Sequence, residues 1–92
     1  MNLAAEIRER LAALEPLELE VIDESEAHRG HAGYRAGGGT HWRLAIVSSR
    51  FAGQPVVARH RMVYQALGNL MQNPIHALAI NARAPEETKG SK

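Results

Sequence analysis

Five histidines and no cysteine limit the metal chemistry open to this 92-residue chain. Without thiolates, the chain by itself forms no disulfide, no cysteine-based zinc site and no iron–sulfur cluster. Imidazole is therefore its main soft-metal donor, apart from methionine. Two imidazoles leave positions open on a metal, as at the two-histidine iron of Rieske [2Fe–2S] centres, so any thiolates would come from elsewhere. The histidines are His28, His31, His41, His60 and His76.

Catalytic motifs are missing from the sequence. It contains no nucleophile elbow, no His-Glu-x-x-His and no phosphate-binding Gly-x-x-x-x-Gly-Lys. Residues 27–85 contain no Asp or Glu, which excludes paired carboxylates there. We therefore expect a protein that is not an enzyme.

The net charge of +1 conceals an uneven distribution. Residues 1–26 have eight acidic side chains and two arginines, whereas residues 27–85 have seven arginines and no acid. Unopposed arginine suits a phosphate or an acidic protein surface. The alternative is an ordinary solvated surface, because the fold can place the acidic and basic segments side by side.

Apolar spacing predicts a helix near the start of the chain, capped by Asn2 and ended by Pro16. Alternation over residues 17–22 predicts a half-buried strand, and residues 41–49 predict a second one. Between them lies a long loop, residues 26–40, with five glycines. The two strands are expected to form an antiparallel hairpin. The apolar residues of the helix are Leu3, Ile7, Leu11 and Leu14.

The second half predicts a turn at Gly53 with positive φ, a helix from Pro55 to about residue 72 and a third strand over residues 75–82. The order is α-β-β-α-β, an α+β fold with two helices on one face of a three-stranded sheet. Residues 1–85 are predicted to form one domain and residues 86–92 a flexible tail. The expected apolar stripe and packed aromatic residues are Val56, Val63, Leu67, Leu70, Met71, Trp42, Phe51 and Tyr64.

The first residues lack a basic start followed by an apolar run, and no stretch has the roughly 18 apolar residues that span a bilayer. We expect a cytoplasmic protein with no membrane partner.

Five blocks of sequence together resemble the successive signatures of the BolA family, in the same order. They are Asp23-Glu24-Ser25, Thr40-His41-Trp42, Val47-Ser48-Ser49-Arg50-Phe51-Ala52-Gly53, Arg59-His60-Arg61-Met62-Val63-Tyr64 and Ile75-His76-Ala77-Leu78-Ala79-Ile80. The resemblance covers about residues 3–86 and implies a fold similar to class II KH domains.

The resemblance also implies a partner and a cofactor. BolA proteins form heterodimers with monothiol glutaredoxins, bridged by a glutathione-ligated [2Fe–2S] cluster. The family's ligand at the start of the third strand corresponds to His76, and its loop ligand to His31 or, as the alternative, His28. The resemblance therefore implies a role in iron–sulfur cluster assembly or trafficking. The isolated protein is expected to be a monomer without a cofactor.

Some BolA proteins are DNA-binding transcriptional regulators, so double-stranded DNA is the alternative partner. Its contacts would come from the turn and second helix, with further arginines nearby. The same side chains could instead hold glutaredoxin or glutathione carboxylates. The candidate residues are Arg50, Arg59, His60, Arg61, Arg43 and Arg83.

Overall fold

A computed structural model of the chain describes residues 2–24, 41–72, 75 and 77–89. Its helices are α1 (Leu3–Leu11), α2 (Val56–Leu67) and α3 (Pro85–Lys89), and its strands are β1 (Glu18–Asp23), β2 (His41–Val47) and β3 (Ala77–Arg83). Short 3₁₀ helices cover Ala12–Leu14, Ser49–Phe51 and Gly68–Met71. The predicted α-β-β-α-β order is confirmed. Residues 86–89 of the predicted tail belong to α3.

The three strands form one mixed sheet with β2 in the middle, antiparallel to β1 and parallel to β3. Asp23 lies opposite Trp42, and His41 lies opposite Ala77. The end of β1 and the starts of β2 and β3 therefore meet at one end of the sheet. We call this end, marked by Glu24, His41 and Ala77, the loop end.

The core lies between one face of the sheet and the helices. Trp42, Leu44 and Ile46 alternate along β2 and are buried, as the period-two pattern of a strand predicts. Burial of each large apolar side chain contributes about 1.5–3 kcal/mol. The same core includes Ile7, Leu11, Leu14, Phe51, Val63, Leu67, Leu70, Ile75 and Ala84.

Three apolar residues lie outside the core, contrary to the sequence prediction. Tyr64 is 42% exposed because α2 buries Arg59, Val63 and Leu67, and a residue next to Val63 is turned about 100° away from that face. Val56 is 63% exposed in the first turn of α2. Leu17 is 66% exposed just before β1.

Ser48 fastens the end of β2 to two other elements. Its buried Oγ donates to the carbonyl of Leu14 at 2.6 Å and accepts from the N–H of Arg50 at 3.1 Å. Its own N–H donates to the carbonyl of Arg83 at 3.0 Å. The turn that follows contains Gly53 at φ +77°, which confirms the predicted positive φ.

Candidate functional site

The backbone joins the three strands at the loop end. The N–H of Glu24 donates to the carbonyl of His41 at 2.8 Å, which closes the β1–β2 ladder. His41 in turn lies opposite Ala77 at the start of β3. Because these residues come from different parts of the chain, the sheet brings the end of β1 and the starts of β2 and β3 together.

The predicted metal ligands His28, His31 and His76 lie outside the described residues. Residues 25–40, which contain the first two, are flanked in the sequence by Glu24 and His41, and both flanking residues lie at the loop end. His76 immediately precedes Ala77, which also lies there. The described residues that flank both predicted ligand segments thus lie together at the loop end.

A concavity of about 290 Å³ lies at the loop end, close to the lower limit of typical ligand pockets. Trp42 in its lining is only 4% exposed. The indole Nε1 of Trp42 is buried and has no hydrogen-bond acceptor among the described residues. The concavity is lined by Glu24, His41, Trp42, Ala77, Leu78 and Ala79.

The one carboxylate in that lining is paired. Arg43 Nε donates to Glu24 Oε2 at 2.7 Å, and this hydrogen bond, with the charge of Glu24, raises the pKa of Arg43. Within the described ranges, no group of three His, Cys, Asp or Glu side chains could hold a metal ion. The described side chains therefore supply only part of any metal site at the loop end.

Two arginines from the basic span lie at the opposite end of the sheet. Arg83 ends β3 opposite Val47 of β2, and its Nε donates to Asn81 Oδ1 at 3.1 Å. Arg50 follows β2 and forms a salt bridge of 3.0 Å with Glu15. Both are therefore separated from the loop end by the length of β2.

Arg59 is directed into the protein, contrary to the expectation that it faces a partner. It is 7% exposed, and its guanidinium holds both oxygens of Glu87, with Nη1–Oε1 and Nη2–Oε2 distances of 2.7 and 2.6 Å. Nε and Nη1 also donate to the carbonyls of Gln54 and Ala82, at 2.8 and 3.0 Å. We call this arrangement the Arg59 clamp. It joins α2, β3 and α3.

The clamp shifts the acid–base behaviour of its two charged members. The hydrogen bond from Arg59, helped by the N–H of Ala84, lowers the pKa of Glu87 to about 2. The same carboxylate raises the pKa of Arg59. Both groups therefore keep their charges across the neutral pH range.

The remaining basic candidates, His60 and Arg61, lie on α2. His60 is half-buried and Arg61 is exposed, with no carboxylate partner in the described part of the chain. The six predicted residues thus form no single patch. Arg43, Arg50 and Arg59 each have a carboxylate partner, which offsets three of the seven positive charges in residues 27–85.

Sequence reasoning overlooked Glu87 and the orphaned N–H of Trp42. Glu87 is 28 residues from Arg59, and no periodic pattern links positions that far apart. Trp42 was expected to pack in the core, which is confirmed.

The fold and the loop end together define a small α+β domain with a mixed three-stranded sheet. The chain belongs to the BolA family, because the family model described as BolA-like protein matches residues 11–87.

Three curated relatives illustrate the similarity. SufE-like protein 1 of Arabidopsis thaliana is 45% identical over 86 residues, covering 88% of this chain and 23% of that protein. BolA-like protein 1 of Mus musculus is 45% identical, covering 90% and 58%. The DNA-binding transcriptional regulator BolA of Escherichia coli (strain K12) is 37% identical, covering 98% and 83%. The chain thus spans less than two thirds of the first two relatives.

Solved structures agree with this assignment. The BolA domain of SufE1 from Arabidopsis thaliana superposes with a TM-score of 0.82 at 42% identity, covering 95% of this chain and 96% of that one. The solution structure of BolA1 from Mus musculus gives a TM-score of 0.82 at 44% identity, covering 97% and 70%. Among the described helices, none is long and apolar enough to span a bilayer.

Proposed function

We propose that this chain binds a monothiol glutaredoxin and shares with it a glutathione-ligated [2Fe–2S] cluster. The cluster is the cargo of the complex, and this chain contributes imidazole ligands, His76 and either His31 or His28. In this role the protein is an accessory factor of iron–sulfur cluster trafficking rather than an enzyme.

The meeting of the end of β1 with the starts of β2 and β3 at the loop end supports this proposal most directly. Glu24 and His41 enclose the segment that contains His28 and His31, and their backbones are hydrogen-bonded to each other. Ala77, the residue after His76, lies opposite His41. The sheet therefore holds the described residues that flank the two ligand-bearing segments close together at the loop end.

The donor chemistry fits a shared cluster. Two neutral imidazoles suit one iron of a [2Fe–2S] unit when thiolates hold the other iron. This chain has no cysteine, so glutaredoxin and glutathione would supply the sulfur ligands. Imidazole in place of a thiolate raises the reduction potential of such clusters, so the histidines of this chain would tune the stability or transfer of the cluster.

Anaerobic reconstitution tests the proposal. The chain, a monothiol glutaredoxin and reduced glutathione are mixed with ferric iron and sulfide, and the heterodimer is followed by size exclusion and visible circular dichroism. We expect a one-to-one complex with a spectrum distinct from that of the glutaredoxin alone. A glutaredoxin spectrum unchanged by this chain, with no shift in elution, would contradict the proposal.

We propose DNA binding as the second function, because the relative from Escherichia coli is named a DNA-binding transcriptional regulator. Arg61 is the best-placed contact, since it is exposed on α2 without a carboxylate partner among the described residues. Each phosphate contact contributes about −0.9 to the slope of log affinity against log salt. Absence of a mobility shift with duplex DNA at low salt would exclude this function.

A further inference from the structure

The described residues leave one face of the sheet exposed to solvent. Side chains alternate along β3, which packs its even-numbered residues against the core and exposes its odd-numbered ones. Sheets of parallel strands occur almost only where both faces are covered, and β2 and β3 run parallel. A bound partner would remove this departure. We call the exposed side the open face, and its central residues are Glu20, Ile22, Arg43, Ala45, Ala79 and Asn81.

Small side chains shape the open face into a trough. A second concavity, of about 240 Å³, lies on this face, and its lining includes Glu20, Arg43 and Asn81. Ala45 and Ala79 belong to the same lining. Ala79 also lines the concavity at the loop end. The two concavities therefore adjoin at Ala79 and run from the loop end along β2 and β3.

The charges on the open face argue against DNA as its partner. Glu18 and Glu20 of β1 lie on the same face as Arg43 and Arg83. DNA phosphates that approached these arginines would also meet the carboxylates, which oppose the attraction that DNA binding depends on. A rim with charges of both signs instead suits a protein surface.

The size of the open face argues against a second copy of this chain. Strands about 4.8 Å apart, with a rise of about 3.3 Å per residue, give three strands of up to seven residues an area of roughly 330 Å². Two such faces together would bury roughly 660 Å², which is typical of crystal contacts and below the about 1,200 Å² of a stable interface. A partner on this face therefore needs a further anchor, and the loop end adjoins it.

We propose that the glutaredoxin partner docks over the open face, with the loop end as its anchor. This inference rests on the proposed function, which holds glutaredoxin at the loop end through the shared cluster. Ala77, the residue after His76, is exposed on the open face opposite His41. A protein held there extends along the trough over Ala79 and Ala45, where the small side chains leave room for its own.

Methyl cross-saturation locates the contact. The chain, deuterated except for ¹³C-labelled alanine methyl groups, is bound to protonated glutaredoxin with glutathione and the reconstituted cluster, and the glutaredoxin protons are irradiated. Ala45 is four residues along β2 from His41, or about 13 Å, which separates its methyl signal from the loop end. We expect the Ala45 methyl signal to lose intensity and the signal of Ala58, on α2, to keep it.

A substitution provides the second test. Ala79→Gln fills the position shared by the two concavities without changing the charge. We expect the affinity for glutaredoxin in the loaded complex to fall roughly tenfold. The melting temperature of the free variant should stay within about 3 °C of the wild type, because Ala79 is exposed. The matched control is Ala13→Gln, at an exposed alanine beyond α1, and its affinity should equal that of the wild type.

Visible circular dichroism and size exclusion report separately whether the loaded wild-type complex forms. If it forms while Ala79→Gln binds as the wild type does, or while saturation reaches Ala58 and not Ala45, the inference is overturned and the proposed function stands. If the free chain forms a dimer that saturates Ala45, a second copy covers the face and the inference is overturned. If no complex forms with the wild type, the proposed function fails and the inference fails with it.

Discussion

The Arg59 clamp leads to a quantitative stability prediction. Arg59→Met keeps most of the apolar stem and removes every hydrogen bond of the guanidinium. The carbonyls of Gln54 and Ala82 then lose a charged donor in a mostly buried place. A hydrogen bond to a charged group is worth about 1.5–3 kcal/mol. Solvent screening lowers the contribution of the bonds to Glu87, which lies on the exposed side of the clamp. We expect the free energy of unfolding to fall by about 2–3 kcal/mol.

The clamp also predicts how the stability of the fold changes with pH. The pKa of Glu87 is lowered from 4.5 to about 2 in the folded state. A carboxyl with a lowered folded pKa stabilises the fold above its unfolded value, and this stabilisation is lost as the pH falls towards the folded value. The difference in stability between the wild type and Glu87→Gln should therefore be largest above about pH 5 and should shrink between pH 4.5 and pH 2.

Urea denaturation followed by Trp42 fluorescence measures both effects. Glu86→Gln, on the same short helix but outside the clamp, is the matched control and should behave as the wild type. A loss below about 0.5 kcal/mol for Arg59→Met, which is typical of surface substitutions, would refute the clamp. So would a stability difference for Glu87→Gln that stays constant from pH 7 to pH 2.

Further substitutions test the packing and the second function. Ser48→Ala should lower the free energy of unfolding by about 1–2 kcal/mol, measured by urea titration, because it leaves the Leu14 carbonyl unpaired. Phe51→Ala, at a fully buried position, should cost about 3–5 kcal/mol in the same assay, and Phe51→Leu should cost less. Gly68→Ala should lower the melting temperature, since Gly68 has φ +58° and alanine is strained in that conformation. An unchanged melting temperature would contradict this expectation. If DNA binding is found, Arg61→Ala should reduce the magnitude of the salt slope by about 0.9.

The sequence predicted the fold because its elements are separated by strong local signals. Asn2 accepts from the N–H of Ala5 as the predicted N-cap of α1, and Pro16 follows the end of that helical segment. The alternating pattern assigned the faces of β2 correctly. Tyr64 and Val56 were misplaced because apolar spacing does not fix which residues at the edge of the stripe are buried.

The sequence did not predict the electrostatics. Arg43, Arg50 and Arg59 belong to a span without acids, yet each pairs with a carboxylate from outside it. Glu24, Glu15 and Glu87 are between 19 and 35 residues away from these arginines. Only the tertiary fold brings such pairs together, so the charge excess of a segment overstated the positive surface available to DNA.

The most direct test of the central claim is the effect of one histidine on the shared cluster. His76→Ala should abolish the visible circular dichroism signal specific to the reconstituted complex of this chain with a monothiol glutaredoxin and glutathione, or alter it strongly. His60→Ala, on α2 and outside the proposed ligand set, should leave the signal unchanged, and the double substitution of His28 and His31 should resemble His76→Ala. A spectrum of the His76→Ala complex identical to that of the wild type would contradict the claim that this chain ligates the cluster at its loop end.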